Sequence, residues 1–304
     1  MFKRIYSEAF STDVIHRVNQ YIDVGLWKGI EKSKFTRWCG QFTSHNERVM
    51  LALILESLVY RSTDHLKALI EHSLYKTLPQ ALYNKSHNEK YFQIFEDLCR
   101  PNNRSKEVAI IPVIRESDPP TKSGPLVARL YKRLGCVSER NMYWPWARDK
   151  IANKKVIVFI DDFLGTGNQF NKFFDNYIKY NYSEDDYFFV YCPLTASEIG
   201  IKNLERSNGN LIVSPVEIVT ESENFFRFSE IRHQLRDDEV KLLNKTYDNF
   251  IMKVGLSKLG GSEKPLVRGY EGLALTYAYE HATPNASLPL LWANSKSFFS
   301  LFTR

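Results

Sequence analysis

The sequence predicts an α/β protein: a parallel sheet flanked by helices, behind an α-helical N-terminal region. Three observations carry this reading. Up to residue 103, apolar residues recur only at helical spacings. Beyond it, short apolar runs alternate with amphipathic segments, the pattern of strand–helix–strand units. One of those runs, residues 156–160, is apolar at every position, as in a parallel strand covered on both faces. The expected division is therefore a helical region over residues 1–103 and an α/β domain over residues 104–304.

Taken in order, Ser44 and Glu47 form the Ser-x-x-Glu capping-box pattern. They open residues 49–55, a run apolar on nearly every side, which predicts a buried helix. A second helix follows Thr63 and Asp64, with Leu66, Leu69, Ile70 and Leu74 on one face, and stops before Pro79. A third carries Tyr91, Phe95 and Leu98 and ends at Pro101. No strand signal interrupts these helices. Residues 108–114 predict a strand in which Pro112 argues against a central position. Pro125 opens a helix that Gly135 closes. Residues 136–154 are irregular and rich in Trp and Arg. The strand 156–160 ends in two acids and leads to a helix after Gly167; then follow a strand (187–192), a helix (195–206) and a strand (211–219). Asp237, Asp238 and Glu239 place negative charge in the first turn of a long helix, which Gly255 closes. Residues 255–272 are expected to be a mobile loop and 273–279 a last strand, and Trp292, Phe298, Phe299 and Phe302 are expected to pack.

Composition narrows the class. Apolar residues make up 43% of 304, enough for a proper core, and charged residues 25%, so the chain is not of disordered type. The net charge of +6 suits an anionic ligand or nucleic acid, and is also common in proteins that bind neither. Cys39, Cys99, Cys136 and Cys192 are far apart and form no Cys-x-x-Cys, which argues against a zinc site or disulfide framework and for a reducing compartment. Residues 1–10 have no apolar core of a signal peptide, and the longest apolar run, 49–60, is broken by Glu56 and too short to span a bilayer. A cytoplasmic protein without membrane contact is expected.

The chemistry concentrates in Asp161, Asp162, Phe163, Leu164, Gly165, Thr166, Gly167, Asn168 and Gln169. Glycines let backbone N–H groups turn toward a ligand with no Cβ in the way. A helix starting immediately afterwards offers unpaired N–H groups and a positive dipole end. Together they form a cradle for a phosphate, and the two acids just upstream can hold ribose hydroxyls or an associated magnesium ion. The Walker A pattern fails because no lysine follows Gly167, and the dinucleotide pattern Gly-x-Gly-x-x-Gly fails at Phe170. The plain alternative, a strand–turn–helix corner with solvated aspartates, explains the order of apolar strand, acid pair and Gly-Thr-Gly less well. The seven histidines show no metal spacing, and no Gly-x-Ser-x-Gly elbow exists.

This segment resembles the ribose-phosphate loop of type I phosphoribosyltransferases: four apolar residues, two acids, two spacers, a small residue, Thr or Ser, Gly, any residue, then Thr or Ser. The resemblance implies a type I phosphoribosyltransferase-like fold that binds phosphoribosyl pyrophosphate with Mg2+. Asp161 and Asp162 would be the catalytic acids at the ribose hydroxyls and the metal. Gly165, Thr166, Gly167, Asn168 and Gln169 would bind the 5′-phosphate. Gln169 departs from the pattern, standing where a hydroxyl residue is usual; its amide can still donate a hydrogen bond. The matching pyrophosphate loop is residues 115–124, with Arg115, Lys122, Ser123 and the N–H of Gly124 facing the ligand at a helix N-terminus. A polar loop carrying Arg and Lys is also often merely solvated.

A wider resemblance joins the front around Glu47 and Arg48, the form Ile160-Asp161-Asp162-Phe163-x-Gly-x-Gly-Asn168, and the ending His281-Ala282-Thr283-Pro284-Asn285-x-Ser287-Leu288-Pro289. It is similar to phosphoribosyltransferase-like proteins of bacterial conflict (antiphage) systems, some of them retron-associated. That implies a toxic effector, transferring phosphoribosyl to a nucleotide or nucleic-acid-related acceptor, with a reverse transcriptase and its RNA/DNA product as partner. His281, Thr283 and Asn285 are then acceptor-side candidates. A non-catalytic module that senses a nucleotide, or docks on such a complex, stays open beside the enzyme.

Overall fold

The computed structural model describes residues 8–100, 102–119, 122–179, 181–182, 186–261 and 265–303. Residues 1–7, Pro101, Pro120 and Thr121, and residues 262–264 of the expected mobile loop, lie outside that set. The chain packs into two compact units. One is built from the residues up to Asp64 together with those from Thr220 on; the other is His65–Val219. The boundary expected near residue 103 falls inside the second unit, between its helices and its sheet.

The split unit begins with α1 (Glu8–Asp23), α2 (Lys32–Cys39), α3 (His45–Ser57) and β1 (Val59–Arg61). At the start of α3, Ser44 Oγ accepts from Glu47 N and the Glu47 carboxylate accepts from Ser44 N, the reciprocal cap that the sequence predicts. Every residue from Val49 to Leu55 is buried, and α1 lies against this helix.

The continuous unit follows with α4 (Thr63–His72), a π-helical turn (Ser73–Thr77), α5 (Leu78–Ser86) and α6 (Lys90–Leu98). The helix expected to stop before Pro79 instead runs into α5. Pro79 sits in the first turn of α5, where its missing N–H costs nothing. Next come β2 (Val108–Pro112), α7 (Ser123–Arg133), α8 (Arg148–Ile151), β3 (Val156–Leu164), α9 (Asn168–Tyr177), β4 (Phe188–Ser197), α10 (Glu198–Ser207), β5 (Leu211–Val213) and β6 (Glu217–Val219). The sheet is parallel throughout, in the order β2-β3-β4-β5, with β6 also paired to β4.

Alternation along the strands sorts side chains to two covered faces. Phe159 and Tyr191 meet Phe170, Phe173 and Phe174 of α9, Tyr191 stacking on Phe170 at 4.0 Å. On the opposite face, Cys192 Sγ lies 3.2 Å from Ser73 Oγ, itself 3.0 Å from Tyr131 OH of α7. This is the three-layer arrangement predicted by the apolar strand 156–160.

Both strand prolines sit where a ladder N–H is not needed. Pro112 ends the outer strand β2. Pro193 lies inside β4, opposite Asp161, at the level where β5 has ended and β6 has not begun. The strand expected over 211–219 is therefore two short ones separated around Pro215. Likewise β4 runs on to Ser197, and the helix expected from Thr195 starts only at Glu198.

The chain then returns to the split unit with α11 (Phe225–His233), α12 (Asp237–Lys253), β7 (Tyr277–Tyr279) and α13 (Pro289–Trp292). Here α12 and α11 cover α3, and Phe42 stacks on Phe250 at 4.5 Å. Trp292, Phe298 and Phe302 are buried as expected, whereas Phe299 is exposed. No strand was expected among the first hundred residues, yet β1 pairs in parallel with β7. The partner is more than 200 residues away, beyond what local periodicity reveals. Among the described residues no helix is long and apolar enough to cross a membrane.

Removing the cap in Ser44→Ala should cost about 1 kcal/mol of unfolding free energy. Urea denaturation followed by far-UV circular dichroism reads the change directly.

Candidate functional site

The carboxyl ends of β2 and β3 bring two of the expected loops together. Parallel α/β sheets place ligands at these ends. The strand β3 does not stop at Ile160: it continues through both acids to Leu164, with Phe163 and Leu164 paired to Thr195 and Ala196. Asp161 and Asp162 therefore sit on a rigid ladder, only 4% and 8% exposed. Gly165, Thr166 and Gly167 make the turn, and α9 starts at Asn168. Gly167 has φ +88°, a conformation that a side chain strongly disfavours.

The turn is held from behind by α10. Ser197 Oγ donates to the Gly165 carbonyl at 2.5 Å and accepts from Gly200 N at 3.0 Å, so one hydroxyl both caps α10 and grips the loop. Asn203 Nδ2 donates to the Thr166 carbonyl at 3.0 Å. Gly200 lets the elements approach this closely: a Cβ there would lie 2.2 Å from the Gly165 oxygen. The carbonyls of Gly165 and Thr166 are thus engaged from the side of α10. Gln169 is exposed at the second position of that helix.

Asp161 has polar neighbours on three elements. Its Oδ1 accepts from Asp162 N at 3.0 Å and lies 3.4 Å from Ser123 Oγ; its Oδ2 accepts from Tyr191 OH at 3.3 Å. Burial pushes its carboxyl well above the usual carboxylate range, and the charge of Asp162 adds to the rise, against the hydrogen bonds from Asp162 N and Tyr191. The Tyr191 phenol is driven upward by burial and by Asp161. Asp162 Oδ1 accepts from Phe163 N at 2.9 Å.

Of the second loop, Ser123 and Gly124 open α7 beside the acids. A Cβ on Gly124 would lie 2.9 Å from the Val113 carbonyl, so the start of α7 is pressed against the end of β2. Lys122 is half-buried and forms no ion pair with a described residue. Arg115 differs from expectation. Its guanidinium bonds both oxygens of Asp118, at 2.6 and 3.2 Å, and its N–H donates to Asp118 as well. Burial raises the Asp118 carboxyl, but the hydrogen bonds and charge of Arg115 outweigh this and hold it below its ordinary value. Arg115 thus fastens the loop.

His281, Thr283 and Asn285 belong to the split unit. The His281 ring stacks on Tyr279 at 5.1 Å, Thr283 is buried, and the Asn285 carbonyl accepts from Tyr270 N at 2.7 Å. Sequence reasoning missed Tyr191, Ser197 and Asn203. A hydroxyl in an otherwise apolar strand was the available signal for Tyr191; Ser197 was read as helix interior, although a serine just before Glu198 is an N-cap signature. Among the described residues, no group of three or more His, Cys, Asp or Glu side chains converges as a metal site. The acid pair alone suits a magnesium ion that arrives with phosphate oxygens of its own.

A parallel sheet flanked by helices, with an acid pair, a glycine turn and a helix N-terminus at one strand end, defines a protein of the α/β class. The PRTase-CE family model matches residues 35–304, and the chain belongs to that family, the phosphoribosyltransferase-like proteins of conflict systems. No curated protein matches the sequence. Among solved structures, orotate phosphoribosyltransferase from Aeropyrum pernix is similar at 18% identity and a TM-score of 0.25, over 48% of this chain and 72% of that one.

Because Asp161 binds its proton more tightly folded than unfolded, the wild type should lose stability as pH rises from the unfolded carboxylate value, about 4, toward the folded one. Asp161→Asn should remove that slope and raise Tm at neutral pH, by about 2–4 °C per kcal/mol recovered. Thermal melts between pH 4.5 and 8 would show it; a lower Tm for the variant at every pH contradicts the assignment.

Proposed function

We propose that this protein binds the magnesium complex of phosphoribosyl pyrophosphate and transfers its phosphoribosyl group. The observation that carries the reading is the convergence of Ser123, at the head of α7, on Asp161, beside a glycine turn whose carbonyls are tied to α10. In this reading Asp161 and Asp162 accept the ribose hydroxyls. The turn from Gly165 to Gly167, with Asn168 and Gln169, takes the 5′-phosphate. Lys122, Ser123 and the Gly124 amide face the pyrophosphate, which Arg115 reaches only by leaving Asp118. Magnesium bound with the substrate supplies positive charge to the pyrophosphate oxygens. A nitrogen nucleophile forms a bond to C1 as the C1–O bond to pyrophosphate breaks, and the nitrogen loses its proton. Positioning and charge do most of the work, so no covalent enzyme intermediate is required.

Calorimetry with phosphoribosyl pyrophosphate and Mg2+ should show saturable binding. Asp161→Asn with Asp162→Asn should weaken it about 100-fold or more, from two hydrogen bonds to charged groups. Affinity should rise with pH through the Asp161 titration, because the ligand selects the ionised carboxyl. Equal affinity in wild type and double variant would falsify the site.

We propose for the cell a toxic effector restrained by a partner, a reading that membership in a conflict-system family supports, with a reverse transcriptase and its nucleic acid as the partner the sequence resemblance suggests. Expressed alone in a bacterial host, the wild type should arrest growth, and Asp161→Ala with Asp162→Ala should not, at equal protein level. Arrest by both favours a second reading, a binding module without turnover. The exposed Gln169 in place of a hydroxyl residue supports that reading. Pyrophosphate release in the presence of cell extract separates the two.

A further inference from the structure

A second surface in the continuous unit is built as a binding platform. Trp144 and Trp146 are 46% and 38% exposed, unusual for the largest aromatic side chain. They are not loose. Their rings stack on each other at 5.3 Å with an interplanar angle of 2°, separated in sequence by the buried Pro145. The segment carrying them is strapped along the outer strand β2: Met142 bridges to Ile110, Tyr143 N donates to the Ile110 carbonyl at 2.9 Å, and Ala147 N donates to the Trp144 carbonyl at 3.0 Å. Trp146 leans on Tyr177 at 6.3 Å, and Tyr177 on Phe173 of the core at 5.7 Å. Two indoles stacked in parallel, braced on one side by Tyr177 and partly exposed, offer π-surface already organised for another flat ring.

The surrounding charge says what kind of ring. Residues 140–155 hold five Lys or Arg against one acid, Asp149. Lys154 is buried, its Nζ donating to the Ser105 carbonyl at 2.6 Å. Arg140, Arg148, Lys150 and Lys155 are exposed, and none forms an ion pair with a described residue. An apolar protein partner would leave this charge without use, whereas a polyanion carrying open aromatic bases satisfies both features. Duplex bases are already stacked on each other and present only their edges.

We propose that Trp144 and Trp146 bind single-stranded nucleic acid, its bases stacking on the indoles and its phosphates lying against Arg148, Lys150 and their neighbours. The platform adjoins the loop that precedes α7, because Glu116 N donates to Tyr177 OH at 2.7 Å. It is nevertheless a separate site. Tyr177 is nine residues along α9 from Asn168, about 14 Å at 1.5 Å per residue. The proposal therefore requires nothing of the phosphosugar loop.

The test uses the full chain with fluorescein-labelled 20-mers of oligo-dT and oligo-rU, a 20-bp duplex, and free UMP as competitor. Either strand should raise anisotropy and quench tryptophan fluorescence, and the duplex should bind at least tenfold more weakly. Trp144→Ala with Trp146→Ala should weaken strand binding about 100-fold, and Trp→Phe at both positions should restore part of it. Arg148→Glu with Lys150→Glu should reduce affinity and lower the slope of log affinity against log salt by about 1.4. Asp161→Asn with Asp162→Asn should bind strands as the wild type does, which keeps this surface and the proposed transferase site independently testable. Photo-cross-linking of a 5-bromouracil strand to the wild type should land on residues 144–150, a readout that needs no variant to fold. Equal binding of duplex and strand, unchanged affinity in the alanine pair, cross-links confined elsewhere, or UMP competing as well as the strand would each overturn the proposal, the last leaving a free-nucleotide site.

Discussion

Ser197 Oγ and Asn203 Nδ2, donating to the carbonyls of Gly165 and Thr166, fix which way the peptide planes of the turn face. A carbonyl and its neighbouring amide point to opposite sides of the chain, so anchoring the oxygens to α10 presents the N–H groups outward. The rest of the site depends on this. The grip requires Gly200 within van der Waals reach of the turn, and β4 running on to Ser197 so that the capping hydroxyl arrives at the level of Gly165. That extension is in turn compatible with Pro193 because β5 and β6 leave a gap beside it. The turn is thus held by a sheet irregularity, a helix cap and one close glycine contact.

The acid pair works against the stability of the same framework. Asp161 is enclosed by the ladder of β3, by Tyr191 and by the head of α7, and its carboxyl is disfavoured as a charge. A chain under selection for stability alone would place an amide or an apolar residue there. Tyr191 offsets part of the strain with one hydrogen bond, while its ring is locked on Phe170. In the proposed reading, ribose hydroxyls and a cation would complete this environment, so the cost of burying the charge favours a ligand that brings both.

How much of this was legible depended on the range of the forces involved. The capping box of Ser44 and Glu47, the apolar strand 156–160 and the Gly-Thr-Gly turn are local in sequence and stood out there. The continuation of β3 through Asp161 and Asp162 did not, since polar residues end a strand by local pattern, and only pairing with β4 keeps them in register. The edge placement of Pro112 was readable from its missing donor, whereas the position of Pro193 depends on two other strands. Arg115 looked like a ligand group because its type allows it; Asp118, three residues on, claims it through the geometry of the turn. The pairing of β1 with β7 is purely tertiary, and the stacking of Trp144 on Trp146, although two residues apart, depends on a backbone held against β2.

The split of one unit between the two ends of the chain has a consequence for its birth on the ribosome. Residues 65–219 are contiguous, so their core can close as soon as they emerge. The buried helix α3 cannot. It shares one core with Leu243, Tyr247, Phe250, Leu290 and Phe298, the last of them more than 230 residues downstream. At about 5–20 residues per second, this apolar helix waits for roughly ten seconds to a minute before its partners exist. Throughout that interval the nascent chain carries an unfinished hydrophobic face, which elongation past the sheet does not yet close.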